Sequence, residues 1–585
     1  MKLILRYMKP YLGAILFGML IKLIGTTCEL MIPYILEHMI DNIVPLGDIK
    51  LMILWGIIMM TMAFLTRTLN VIANRKAVWN AHNVSYDVRK DLFDKTMNLS
   101  GTQFDEFGLP SLDSRMTSDS YNVQSCAQSL QTMCVRAPIM LFGGIIVTMT
   151  MDFQLSLILC AMVPLLLIVV LGVSKYGIPL FHIVQEKLDD IVLVMRENIT
   201  GIRVVKALSK GEYEKNRFHE YNERMTQSDI KANTFMAIPG PSMQLCLNVG
   251  LCLVVALGAY RVNAGLMKSG VILAFLTYFN YVMMGVMSLN RLFVMVSKAS
   301  ASANRIDQVL STNVDQKIYS LEETTKPESE DFIVFDHVNF KYSQTSSLNA
   351  NDFAGMEQEQ VLYDINFTIK KGESLGIIGP TGCGKTTIIN LLMRFYDVED
   401  GNIYLDGKDV RCYEKDELHR KFGVVFQNDI IFNNTLRENI KFGREINDEQ
   451  INEAIKDAMA KEFVDGLDYG LNFKADIKGA NMSGGQKQRI LISRALAGNN
   501  EILILDDSSS ALDYKTDASL RKAIFENHKN ATTIMIAQRV SSIQSMTHIL
   551  VMDNGHCIGY GTHQELLESC PAYKEIYDTQ MGALG

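Results

Sequence analysis

The chain has 585 residues, too many for one ordinary domain, and combines 48% hydrophobic residues with 21% charged ones. Its net charge of -8 excludes the broad basic face of a nucleic-acid binder, so no nucleic acid is expected as a partner. The ten cysteines fall without C-x-x-C or zinc-ligand spacing, so neither a disulfide framework nor a metal site is implied.

Residues 1–11 carry Lys2, Arg6 and Lys9 with no small-residue cleavage site after them, which predicts an interfacial helix rather than a signal peptide. Apolar stretches suited to a crossing of about 20 residues follow at 12–36, 51–72, 136–151, 155–172, 236–260 and 271–296. About six spanning helices are therefore expected, and a wholly soluble enzyme is excluded. Segments 75–115 and 175–231 are rich in Lys and Arg, whereas the turns near 41–50, Asp152 and 261–268 hold few. The positive-inside rule then places the basic segments and both termini in the cytoplasm of a multi-pass protein of the cell membrane.

After Gly56 no proline or glycine interrupts the chain until about Asn98, so one helix on the order of 70 Å is expected from 51 to 98. Segment 189–232 reads the same way. Such extensions serve either as mechanical levers or as solvated hairpins, and both readings stand at this point. Polar residues inside spans are costly unless paired or facing water. Gly18, Lys22, Gly25, Thr26 and Glu29 share one face of the first span; Gln244 and Asn248 lie four apart in the fifth; Asn280, Met283, Met284, Met287 and Asn290 form a stripe in the sixth. They read either as the lining of a wet cavity or as interhelical hydrogen-bonding glue. Pro164, Pro239 and Pro241 mark expected kinks or hinges.

The domain boundaries expected are a membrane domain over 1–310, a polar linker over 311–331 and a nucleotide-binding domain over 332–585. In the last, an apolar strand over 373–378 runs into Gly379-Pro380-Thr381-Gly382-Cys383-Gly384-Lys385-Thr386 and a helix beginning at Thr387. This is a P-loop in its strand–loop–helix context. Its glycines let backbone amides wrap phosphates, Lys385 reaches the β and γ oxygens, and Thr386 is a Mg²⁺ ligand. The buried-strand run 502–505 ends in Asp506, a second Mg²⁺-holding group. Ser483-Gly484-Gly485-Gln486 opens another helix and presents amides and a hydroxyl to an anion. One small domain does not need two phosphate sites for one ATP, so the second is expected to complete a pocket on another subunit.

The P-loop, SGGQ and Asp506 strand together resemble the ATPase domain of ABC transporters, and with about six preceding spans the chain resembles an ABC exporter half-transporter. The fold class implied is an α-helical polytopic membrane domain followed by an α/β P-loop ABC ATPase. The resemblance implies that Tyr342 stacks on adenine, that Gln427 senses the γ-phosphate and Mg²⁺, and that Asp513 belongs to the loop crossing a dimer interface. It also makes Phe104, Asp105 and 114–119 part of a first intracellular loop, and puts a second coupling helix near 210–214. The cargo implied is a hydrophobic or amphipathic drug, lipid or peptide. Residues 343–360 are an insertion relative to the family, expected as a surface loop.

Three departures from that family pattern stand out. Asp507 occupies the position of the family's general-base Glu, about 1.5 Å short by one carbon–carbon bond. Gln538-Arg539 replaces His-Arg, and an amide can hydrogen-bond a phosphate but cannot shuttle a proton. Lys474 sits near an expected Glu ahead of SGGQ. With Ser483–Gln486 intact, the pattern implies a heterodimer: a degenerate ATP site here, and a competent one on a partner that keeps Glu and His. The alternatives are a slow homodimer and an ATP-gated regulatory or channel-like subunit.

Overall fold

The computed structural model describes residues 1–313, 315–320, 322, 329–342, 360–498, 500–508 and 511–582, so the insertion after Tyr342 lies almost wholly outside the described residues. The chain forms two compact units. The first comprises 1–95 and 113–312, the second 96–112 and 313–585.

The first unit is helical throughout. Among the described residues five helices are long and apolar enough to cross a membrane, and the fourth expected span lies on the helix Phe153–Thr200, whose described apolar stretch is Phe153–Val169. The helix Ile49–Met97 runs unbroken for 49 residues, about 74 Å, as its lack of breakers predicts. The interfacial helix Lys2–Met8 is tied to it by Tyr7 Oη donating to Asp91 Oδ2 at 2.6 Å.

Segment 189–232 departs from expectation. The helix Phe153–Thr200 stops at Gly201, a short helix Ile202–Ala207 follows, and Gly211–Ala237 returns. Ser209 turns the chain with φ +53°, a conformation that nothing in its residue type announces. The short element expected near 210–214 is thus the first turn of the returning helix, and Ile202–Ala207 takes its place. Pro239 opens the next helix, Pro239–Asn263, at a position where its missing N–H costs nothing.

The polar face of the first span is glue. Lys22, 4% exposed, donates to Asn74 Oδ1 at 3.0 Å, and Glu29 pairs with Arg136 at 2.9 Å. Each charge finds its partner on a neighbouring helix, as an apolar surrounding demands. Asp41 Oδ1 accepts from Gly270 N at 2.6 Å and so caps the start of Ser269–Ser311.

The second unit is built on ten strands among the described residues: β1 Ile333–Phe340, β2 Leu362–Ile369, β3 Ser374–Ile378, β4 Asp400–Leu405, β5 Lys408–Asp409, β6 Phe422–Val425, β7 Ile502–Asp506, β8 Thr532–Ile536, β9 His548–Asp553 and β10 His556–Gly561. Their order is β5-β4-β1-β2-β10-β9-β3-β8-β7-β6. The run β3-β8-β7-β6 is parallel, and β3, β7 and β8 are buried at every position, which explains their mostly apolar sequences. One apolar core lies beneath the helices Asp448–Asp457 and Gly484–Leu496, a second around Lys385–Leu392.

Residues 96–112 belong to this unit. Ser100 and Gln103 form a reciprocal capping box on the helix Gly101–Phe107. Gly101 N donates to Phe395 O at 2.9 Å, and Tyr396 Oη donates to Asp105 Oδ2 at 2.6 Å. Gly101 is obligatory, because a Cβ there would lie 2.7 Å from Phe395 O and from the Tyr396 ring.

Candidate nucleotide-binding site

Parallel strands deliver their following residues to one edge, and here four adjacent strands do so. β3 leads into Gly379, β6 into Gln427, β7 into Asp506 and Asp507, and β8 into Gln538. The cleft at that edge has a volume of about 330 Å³ and is lined by Tyr342, Thr381, Gly382, Gly384, Lys385, Thr386, Thr387, Gln427, Asp506, Asp507 and Gln538. Residues spread over 342–538 in the sequence therefore converge as expected.

The P-loop geometry follows from its glycines. Gly382 and Gly384 have φ of +87° and +97°, and a Cβ on Gly384 would collide with Leu362 at 2.6 Å. Lys385 Nζ donates to Gly379 O at 2.8 Å and Pro380 O at 2.7 Å, which holds the ammonium across the mouth of the loop. Cys383 is buried, and its sulfur lies 3.7 Å from the same ammonium. Burial pushes the Cys383 thiol up, against the pull of Lys385.

Thr386 Oγ1 donates to Asp506 Oδ2 at 2.9 Å. Burial, with the nearby Asp507 charge, holds the Asp506 carboxyl above the usual carboxylate range, while the Thr386 hydrogen bond works against it. A hydroxyl, a carboxylate and the Gln427 amide beside one cleft form an all-oxygen donor set of the hard kind that suits Mg²⁺. Those three residues would hold it there.

Asp507 has φ +46°, a left-handed conformation in a non-glycine residue. Its Oδ2 accepts from Gln538 Nε2 at 3.0 Å. Its carboxyl too is raised by burial, opposed by the Gln538 bond and by the charges of Lys385 and Arg539. At the opposite end of the cleft Tyr342 Oη lies 3.0 Å from Thr387 Oγ1, and its ring meets Tyr396 edge-on at 5.1 Å.

Ser483, Gly484, Gly485, Gln486 and Asp513 do not line this cleft. Ser483 Oγ accepts from Gln486 N while Gln486 Oε1 accepts from Ser483 N, a capping box at the start of Gly484–Leu496, where Ser483 and Gly484 are exposed. Asp513 caps Tyr514–Asn527 through Thr516, whose bonds hold its carboxyl below the ordinary range. Reading from sequence missed Tyr396, which meets Tyr342, and its partner Asp105. The aromatic pair Phe395-Tyr396 just after the P-loop helix was the available signal.

Comparison with known proteins decides the family. Residues 15–286 match the ABC transporter transmembrane region and 362–510 match the ABC transporter ATPase. The ABC transporter ATP-binding protein YfiB of Bacillus subtilis (strain 168) is 33% identical over 583 residues, 99% of each chain. This chain belongs to the ABC transporter family. An ATP-dependent lipid A-core flippase of Idiomarina loihiensis is 30% identical, covering 99% of this chain and 97% of that one. A bacterial Atm1-family ABC exporter solved with ATP bound has the same fold, at a TM-score of 0.79 and 21% identity over 97% of this chain and 99% of that one. The chain is thus a multi-pass membrane protein, an ABC transporter with a membrane domain fused to an ATPase domain, in the fold of that exporter. ABC ATPase domains bind ATP, normally with Mg²⁺, and couple its hydrolysis to transport.

Proposed function

We propose that this chain is the degenerate-site half of a heterodimeric exporter of the cell membrane, moving hydrophobic or amphipathic molecules outward, with its ATPase domain in the cytoplasm. Its own cleft would retain ATP and turn it over slowly. Its Ser483–Gln486 loop would complete the fast site on the partner's ATPase domain. Domain boundaries at 310 and 331 accompany this reading.

The observation that carries it is the contact between Gln538 Nε2 and Asp507 Oδ2. Two of the three positions that depart from the family pattern meet in one hydrogen bond. A general base must reach a water poised on the γ-phosphate, and misplacing it forfeits on the order of 10²–10⁴ in rate. Asp507 is one methylene short, is turned by its left-handed backbone and accepts a hydrogen bond from an amide that cannot relay a proton. Binding asks for less. Lys385 would exchange two neutral carbonyl acceptors for anionic phosphate oxygens, and Tyr342 offers its ring at the adenine end. The exposed, glycine-rich start of Gly484–Leu496 suits a phosphate held by a second chain.

The test is ATP turnover by the purified full-length chain alone and together with a second half-transporter carrying Glu and His at the matching positions. The expected result is slow turnover alone and substrate-stimulated turnover of the pair, lost on changing the second chain's Glu to Gln. Brisk hydrolysis by the chain paired with itself overturns the reading.

A further inference from the structure

The residues that set the switch at Gln538 do not end with the cleft. Val540–Ile543 is a single helical turn whose preceding residue, Arg539, supplies no side-chain cap. The N–H of Val540 is nevertheless satisfied: it donates to Gln580 Oε1 at 2.8 Å. The other half of the same carboxamide, Gln580 Nε2, donates to Gln538 O at 2.9 Å. One side chain thus clasps the backbone on both sides of Arg539. Gln580 itself has a firm base, because its helix Pro571–Gly582 is anchored by the fully buried Tyr573, whose hydroxyl lies 2.7 Å from His563 Nδ1.

From these contacts we infer that Gln580 is a positioning residue for the γ-phosphate switch, acting through the backbone of Gln538 to keep that residue's amide on Asp507. Gln580 touches neither the cleft nor Asp507. The chain of contact runs from its helix to the Gln538 carbonyl, from the Gln538 amide to the Asp507 carboxylate, and so to the site of chemistry. A carboxamide suits the task because it donates to the carbonyl and accepts from the N–H at once. Neither Glu nor Met does both. The inference deepens the proposed function by naming what holds the altered switch in place, and it rests on that reading for the direction of the change in rate, though not for the coupling itself.

The experiment is a double-mutant cycle on the full-length transporter in lipid nanodiscs, with variants Gln580→Met, Gln538→Ala and both together. Turnover of ATP is measured alongside the release half-life of a fluorescent ATP analogue, which reads the cleft even where hydrolysis is very slow. Gln580→Met is expected to change turnover or release by about 10-fold with KM for ATP unmoved, in keeping with the cost of a small displacement at a reacting centre. In the Gln538→Ala background the same substitution is expected to add less than about 2-fold, because the group it positions is gone. Multiplicative effects, or no effect of Gln580→Met on either readout, overturn the inference. Should Gln580→Met fail to fold, Gln580→Glu replaces it, since a carboxylate still accepts from Val540 N but does not donate to Gln538 O. Fast turnover by the chain alone would sink the degenerate-site reading, while the cycle would still report whether Gln580 works through Gln538.

Discussion

The two glycine-rich helix starts of the ATPase unit differ in their setting. The P-loop opens into a cleft that also holds Asp507 and Gln538, joined by one hydrogen bond. Ser483–Gln486 lies outside that cleft and carries a complete capping box at an exposed helix start. On the proposed reading the first face, altered at Asp507 and Gln538, holds nucleotide and the intact second face serves a partner's site, so that binding and cutting are distributed between two faces of one domain.

The sharpest way to break the contrast is to spoil the intact face. Ser483→Arg places a cation and a long side chain at the helix start. It is expected to cut turnover of the assembled transporter by about 10³-fold, as removal of a key phosphate-stabilising donor can, while ATP binding in this chain's own cleft persists. Loss of binding with turnover intact would invert the assignment. Next comes repair of the altered face. Asp507→Glu with Gln538→His is expected to raise single-turnover hydrolysis in this cleft by about 10²-fold when the partner's site is disabled; an unchanged rate would mean that neither residue limits the chemistry. Lys385→Ala removes the charge-assisted contact to phosphate and should weaken binding of a fluorescent ATP analogue roughly 10- to 100-fold, with smaller loss of turnover by the pair. Equal losses would show that the two sites are not separable. The mildest change is Tyr396→Phe, which deletes the hydrogen bond to the buried side of Asp105 and should lower unfolding free energy of the ATPase unit by about 1 kcal/mol, read from the denaturant midpoint. Burial and the Asp105 hydrogen bond raise the Tyr396 phenol far above its ordinary titration range, so this effect should be flat across neutral pH.

What could be read in the sequence follows from how far apart the cooperating residues lie. The P-loop, Asp506 and Ser483–Gln486 act through local backbone geometry, so short motifs expose them, and the β3, β7 and β8 strands around them are legible as short, mostly apolar runs. The helix Ile49–Met97 was legible because it lacks breakers. The turn at Ser209, which divides the expected single stretch into Ile202–Ala207 and Gly211–Ala237, was not, since a left-handed serine has no compositional signature. Lys22 and Glu29 were visible as charges, but their partners Asn74 and Arg136 lie 52 and 107 residues away and only packing pairs them. The clasp of Gln580 on Gln538 spans 42 residues and joins a side chain to a carbonyl, a kind of contact that sequence pattern does not encode.

The membership of residues 96–112 in the ATPase unit has a mechanical corollary. The polypeptide leaves and re-enters that unit at 95/96 and 112/113 as well as crossing at 312/313, so three covalent threads join the two bodies. A cut at 323–328 would fall within the ATPase unit, leaving those three crossings intact but freeing the downstream residues from any covalent tie to them. The fragment downstream would stay moored through Phe395 and Tyr396 on Gly101 and Asp105, and through Arg394 on Lys317. A nicked transporter should therefore elute intact from a sizing column in mild detergent and come apart only when denaturant is added.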